Sequence, residues 1–218
     1  MRWSILDGLP EDDRRRVLSA TRRRRFGRRE VLFHEGDPGD TVHLIDRGRV
    51  AVRVTTPLGD VATLNVRGPG DVIGELALID PASRRMASVM ALEATETLAL
   101  HRDEFDELRS RHPSVDRFLV AILAREVQRL SSLLAEALYV PVDTRVLRRL
   151  LALSEVYATD GQQPVEIPLT QEELGSLAGT SRATVNRVLG EAETAGAIEV
   201  RRGRIVVLDL TRLNRRAR

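Results

Sequence analysis

Between Phe26 and Leu100 the chain is divided into short β-branched runs by turn signals, and this segmentation limits the fold more than any other feature. The runs are Val31–Phe33, Val42–Ile45, Val50–Val54, Val61–Val66, Val72–Ile73, Ala87–Leu92 and Thr97–Leu100. Gly36-Asp37-Pro38-Gly39-Asp40, Asp46-Arg47-Gly48, Leu58-Gly59-Asp60 and Gly68-Pro69-Gly70-Asp71 separate them. Strands recurring roughly every 8–12 residues with such turns predict an all-β sandwich or barrel. Pro38-Gly39 fits the central pair of a type II turn, where glycine accepts a positive φ. Ahead of this region, residues 9–25 read as a short helix with Leu9, Val17 and Leu18 on its apolar face.

After Leu100 the period changes from two to that of a helix. Residues 102–112 predict a small helix stopped near Pro113. Residues 114–138 then run without Gly or Pro, and Leu123, Val127, Leu130, Leu134 and Ala137 step by heptads. Phe118, Leu119 and Ile122 widen the apolar surface at its start. Such a seam predicts a dimer interface formed by Leu119, Leu123, Val127, Leu130 and Leu134; the competing reading is a core helix lying on its own sheet. Val140-Pro141-Val142-Asp143 breaks the helix, and Asp143 is placed to cap the next one. The expected division is 1–113, 114–140 and 141–218, an α+β chain.

Composition excludes several chemistries. There is no Cys, so disulfides, iron–sulfur clusters and cysteine nucleophiles are ruled out. All 34 basic side chains are Arg. From Arg182 onward 9 Arg face 4 acidic residues, an excess that points to a polyanion at that end. No apolar run approaches the roughly 18–20 residues of a membrane span. Met1 to Pro10 lacks an apolar signal-peptide core, so a cytoplasmic location is expected.

The C-terminal third carries the sharpest motif. Thr170-Gln171-Glu172-Glu173 is a capping box, and Leu174, Leu177 and Ala178 give the helix behind it one apolar face. Gly179-Thr180 makes a tight turn, and Ser181 caps a second helix. In that helix Val185, Val188 and Leu189 face inward while Arg182, Ala183, Asn186 and Arg187 face outward. This is the pattern of a helix-turn-helix, whose second helix enters the major groove. Ile198–Val200 and Ile205–Leu208 flank Arg201-Arg202-Gly203-Arg204, a hairpin with a basic tip able to touch phosphates. The expected DNA-binding residues are therefore Thr170, Ser181, Arg182, Ala183, Asn186, Arg187, Arg201, Arg202 and Arg204.

Three segments, Phe33-His34-Glu35-Gly36-Asp37, Gly74-Glu75-Leu76-Ala77-Leu78 with Arg85 downstream, and Thr170 through Leu189, resemble the cyclic AMP receptor protein/fumarate-nitrate regulator family of bacterial transcription factors. The resemblance spans nearly the whole chain. It implies an N-terminal β-roll, jelly-roll-like and cyclic-nucleotide-binding-like, a long central dimerisation helix and a C-terminal winged helix-turn-helix. It also implies a homodimer that reads a palindromic operator in double-stranded DNA, with RNA polymerase as a further partner and no membrane role. By its cassette, Gly74, Glu75, Leu76, Arg85, Met86 and Ala87 form the effector loop, Glu75 accepting a ribose hydroxyl and Arg85 holding a cyclic phosphate.

Two positions depart from that pattern. Met86 stands where a hydroxyl would donate to the phosphate, and a thioether cannot donate. Leu130 and Ser131 occupy the positions that meet the purine, and Leu130 cannot hydrogen-bond. Losing two hydrogen bonds costs about 1–3 kcal/mol, so cyclic AMP or another cyclic nucleotide is expected to bind weakly. Ser88 or Ser131 and backbone amides could compensate. Three readings stay open: a weakly or differently bound cyclic nucleotide, another small anion on Arg85, or a vestigial pocket in a constitutive regulator. Ala183 stands where relatives reading a TGTGA half-site carry Glu, which predicts an altered preference at that base pair.

No catalytic chemistry is indicated. A cupin-type metal site needs a His-x-His cluster, and His34 and His43 are too far apart for one. Without Lys there is no phosphate-binding Gly-Lys-Ser/Thr loop. His34, His43, His101 and His112 qualify as haem ligands by type alone, and no metal is expected. A cyclic-nucleotide-binding module of a kinase or channel would share the β-roll but not the helix-turn-helix.

Overall fold

The structure, a computed structural model, describes residues 6, 9–56, 59, 61–79, 82, 84–113, 116–158 and 163–217. The side chains of Ala77 and Phe118 lie outside that set, as do the turn residues Leu58 and Asp60 and the loop residues Asp80, Pro81 and Ser83. Two compact units divide the chain: Met1–Val61 with Asn65–Leu130, and Ala62–Leu64 with Ser131–Arg218.

In the first unit, helix α1 (Glu11–Ser19) leads into β1 (Arg22–Phe26), β2 (Val31–Phe33), β3 (Thr41–Arg47), β4 (Val50–Thr55), β5 (Val61–Arg67) and β6 (Val72–Ile73). A 3-10 turn over Glu75–Leu78 follows, then β7 (Ser88–Ala91), β8 (Thr95–His101), α2 (Arg102–Arg111) and the long helix α3 (Asp116–Tyr139). The strands form two four-stranded sheets, ordered β1-β8-β3-β6 and β2-β7-β4-β5. This non-sequential, antiparallel order is that of a jelly-roll-like sandwich.

Alternation along β3 separates two cores. Val42 and Leu44 face Leu6, Leu9, Val17, Leu78, Leu100, Phe105 and Ile122, beneath α1, α2 and α3. Ile45 turns the other way and packs with Val50, Ile73, Val89, Leu32 and Phe33 between the sheets. Leu119 lies partly buried on the first of these cores. The start of α3 therefore packs on its own domain, as the core-helix reading required.

Three local readings need correction. The helix expected over 9–25 ends at Ser19, and Arg22–Phe26 pairs antiparallel with β8 as an edge strand. Arg suits a helix well, which made the pattern look continuous. Pairing wins because β8 and its neighbours offer carboxylates: Arg23 meets Asp46 at 2.7 Å and Glu96 at 2.6 Å, and Arg25 meets Glu96 at 3.0 Å. An edge strand of exposed charges also resists unwanted pairing. Near Pro38-Gly39 the left-handed residue is Gly36, at φ +84°, and the turn closes from Asp37 N–H to the His34 carbonyl. The glycine sits two positions before the proline rather than after it. Asp143 lies one residue inside its helix, whose N-cap is Pro141 with no side-chain cap bond.

In the second unit the elements after α3 are α4 (Val142–Tyr157), β9 (Val165–Ile167), α5 (Gln171–Ala178), α6 (Arg182–Thr194), β10 (Ile198–Arg201), β11 (Arg204–Val207) and α7 (Leu210–Arg216). The strands make a sheet ordered β10-β11-β9. Val146, Leu147, Leu150 and Leu153 of α4, Leu174 of α5 and Val185, Val188 and Leu189 of α6 are all buried. No helix among the described residues is long and apolar enough to cross a membrane.

His43, on β3, is buried between Phe26 and Phe33, with Nδ1 3.0 Å from Thr97 Oγ1. Burial, then the charges of Arg85 and Arg24, push its pKa down to about 4. In the unfolded chain it would titrate near 6.5. The unfolded state then binds the extra proton first, so stability is lost as pH falls from 6.5 toward 4. Denaturant unfolding should show a loss of about 3 kcal/mol across that window, absent in His43→Gln apart from the remaining carboxylate effects.

Candidate anion pocket and nucleic-acid interface

The loop carrying Arg85 is stitched to the turn after β2. Gly36 N–H donates to the Arg85 carbonyl at 2.8 Å and Arg85 N–H donates to the Asp37 carbonyl at 2.9 Å. Arg84 Nη1 adds a bond to the Gly36 carbonyl at 2.8 Å. Two of the sequence segments singled out above are thus one structural feature.

The Arg85 guanidinium turns inward and the residue is 8% exposed. It lies 4.1 Å from the centroid of the Phe33 ring, and Nη1 donates to the Gly74 carbonyl at 3.3 Å. Its Nε is buried without a partner. Among the described residues no carboxylate comes within ion-pair distance of it. Burial lowers its pKa, while the more distant charges of Asp40, Asp37 and Glu75 hold it up. Gly74 makes the approach possible: its φ is +77°, and a Cβ there would lie 2.4 Å from Arg85 Nη1.

Glu75 begins the 3-10 turn beside this group. Burial and the charge of Glu126 push its carboxyl above the usual range, against Arg67 and Arg129. Glu126 of α3 is itself held by Arg67 at 2.8 Å and by Arg129, whose Nε donates to both carboxylate oxygens. Leu76 is at the surface. Met86 is 72% exposed, so its side chain leaves the loop rather than filling the place of a donor. Ala87 is half-buried, and the Ser88 hydroxyl accepts the Glu35 amide at 2.9 Å. Leu130 is 52% exposed on α3 and Ser131 follows it, also exposed. Asp80, in the same loop, lies outside the described residues.

In the second unit the caps form as the sequence required. Glu173 N–H donates to Thr170 Oγ1 at 3.2 Å, and Thr170 N–H donates to the Glu173 carboxylate at 2.8 Å. Gly179 closes α5 in the left-handed region, and Ser181 Oγ accepts the Thr184 amide at 3.2 Å. Gly175 was not singled out by sequence, yet a Cβ there would sit 2.9 Å from the Thr180 carbonyl. Its recurrence four residues before Gly179 was the available signal.

These caps set α5, α6 and the β10–β11 wing around one cleft of about 470 Å³, lined by Thr170, Arg182, Arg201, Arg202 and Arg204 among others. Glu172 also lines it. Arg201 is engaged by Glu199 at 2.7 Å and Arg204 by Glu166 at 3.0 Å. Among the described residues Arg182 and Arg202 have no carboxylate partner. Ser181, Ala183, Asn186 and Arg187 are outside the cleft lining, with Ala183 and Asn186 exposed on α6. Arg187 is held by Asp143 and Glu191. No group of three His, Asp or Glu among the described residues is arranged to hold a metal.

Comparison with known proteins agrees with this arrangement. A model of the cyclic nucleotide-binding domain matches residues 23–112, and one of the Crp-like helix-turn-helix domain matches residues 144–216. The chain is 33% identical over 195 residues to the CRP-like cAMP-activated global transcriptional regulator of Mycobacterium tuberculosis, covering 88% of this chain and 87% of that protein. It is 34% identical over 203 residues to the cyclic AMP receptor protein of Thermus thermophilus, covering 93% and 91%. The fold is shared with the c-di-GMP responsive global regulator of Xanthomonas campestris, at TM-score 0.74 and 24% identity, over 91% of this chain and 99% of that one. With a helix-turn-helix and wing in one unit and, in the other, a sandwich that matches the cyclic nucleotide-binding domain, the chain belongs to the Crp family of DNA-binding transcription regulators.

Proposed function

We propose that the protein is a homodimeric, operator-reading regulator whose DNA affinity is set by a small phosphate-bearing effector on Arg85. The observation that carries this reading is the combination of a buried guanidinium with no carboxylate partner among the described residues and an unsatisfied Nε in one unit with a capped helix-turn-helix in the other. Two relatives are named for cyclic AMP, which makes a cyclic nucleotide the first effector to test. The exposed Met86 and the apolar Leu130 supply no donor, so cyclic AMP is expected to bind weakly. A vestigial pocket is disfavoured, because a buried charge without a counter-charge is costly to retain. An effector acts by binding one state of the dimer better than the other. RNA polymerase as partner, a cytoplasmic location and the lack of catalysis complete the reading.

The dimer is assigned to α3. Val127, Leu130 and Leu134 are 63%, 52% and 61% exposed in the single chain, a continuous apolar stripe of the kind that marks an interface. Leu123 is half-buried beside it, and Leu119 serves mainly its own core. Leu130→Asp would place two unpaired charges in that seam, at a cost of several kcal/mol per dimer. Sedimentation of the variant should show monomer at micromolar concentration; a persistent dimer contradicts the assignment.

On DNA, Arg182 and Arg187 are assigned to base edges with Asn186 beside them, Ala183 to a thymine methyl, and Thr170, Ser181, Arg201, Arg202 and Arg204 to phosphates. Arg182→Ala should lower affinity for a duplex selected from a random library by about 1–3 kcal/mol, with little change on random duplex. Equal loss on both duplexes would mean that Arg182 touches only phosphate.

A further inference from the structure

Arg187 lies on the exposed face of α6, five residues after Arg182, yet the two arginines are in different situations. Arg187 Nη2 donates to Asp143 Oδ1 at 2.5 Å, and Nη1 donates to Glu191 Oε1 at 3.0 Å. Glu191 is one turn further along α6 and also meets Arg216 of α7 at 3.5 Å. Asp143 belongs to the first turn of α4. Two helices of the C-terminal unit therefore hold one guanidinium, and a third meets one of its two carboxylates. The two carboxylates raise its pKa above the ordinary value.

An arginine has five N–H donors in a rigid fork. Two carboxylates from different elements fix the plane of the Arg187 fork and leave three donors for another acceptor. Base readout by arginine needs two N–H groups presented together at a guanine edge. A free arginine side chain must lose its rotamer freedom on binding, whereas one already held does not. The same carboxylates offset the positive charge of Arg187 and Arg216, which weakens casual contact with a phosphate. We propose that Asp143 is a positioning residue for DNA reading: it aims Arg187 at a base edge and thereby raises discrimination rather than general affinity. This rests on α6 being the recognition helix.

The test compares Asp143→Asn with the unmodified protein on two probes, a duplex selected from a random library by the unmodified protein and a random duplex of equal length. Asparagine keeps the size and removes the charge that pins the fork. Affinity for the selected duplex should fall about two- to ten-fold, the range for releasing one side chain. Affinity for random duplex should stay level or rise, so the ratio between the probes falls. A fresh selection with the variant should relax the preference at one base pair of each half-site. In an Arg187→Ala background, Asp143→Asn should no longer reduce selective binding. Glu191→Gln, outside the α4 turn, should act in the same direction.

Tighter binding of the selected duplex by Asp143→Asn would overturn the proposal, since Asp143 would then compete with DNA for Arg187. An equal loss on both duplexes would also overturn it, as a general effect on the domain. If Arg187→Ala alone leaves the selected duplex unaffected, the assignment of Arg187 to the bases fails first, and the role of Asp143 with it.

Discussion

One guanidinium, buried on an aromatic ring and lacking a carboxylate, governs the N-terminal unit. Withdrawing the Arg85 charge from water is unfavourable, and its Nε has no acceptor. The surrounding structure is built to tolerate this. The backbone of the loop is tied to Gly36 and Asp37, Gly74 has no Cβ to collide with Nη1, and Phe33 offers its ring face. His43, which also packs against Phe33, stays neutral at ordinary pH, which avoids a second buried cation nearby. An anion arriving at Arg85 would supply the partner that the fold withholds.

The C-terminal unit solves a different problem with the same residue type. Two capped helices and a wing must present arginines to a polyanion without the arginines collapsing onto it at random. Arg182 and Arg202 are left open among the described residues, while Arg201, Arg204 and Arg187 are each tethered by a carboxylate. Surface ion pairs of this kind add only about 0–1 kcal/mol to stability. Their effect is on where the side chains point and on how much bare positive charge DNA meets.

Much of this was legible in the sequence because it depends on local patterns. Capping residues, the turn glycine and inward-facing Val185, Val188 and Leu189 define the helix-turn-helix within twenty residues. The strands from Val31 onward follow from β-branched runs and turns. The strand of four consecutive arginines was hidden, because its pairing depends on Glu96 and Asp46 from elsewhere in the chain. The hold on Arg187 was hidden for the same reason: Asp143 is 44 residues away in sequence. Met86 could be recognised as lacking a donor, but its outward orientation depends on the stitching of the loop beside it. Short β9 and the final helix α7 carry too few residues for a distinct period.

The account is tested most directly by thermal unfolding of Arg85→Met, with and without millimolar cyclic AMP. If Arg85 is a buried charge waiting for an anion, an apolar side chain of similar length removes an unfavourable term. The variant alone should then melt at or above the temperature of the unmodified protein. Nucleotide should raise the midpoint of the unmodified protein and leave that of the variant unchanged. A variant that melts several degrees lower, with the same increment from nucleotide as before, would show that Arg85 is a structural support and that the anion binds elsewhere.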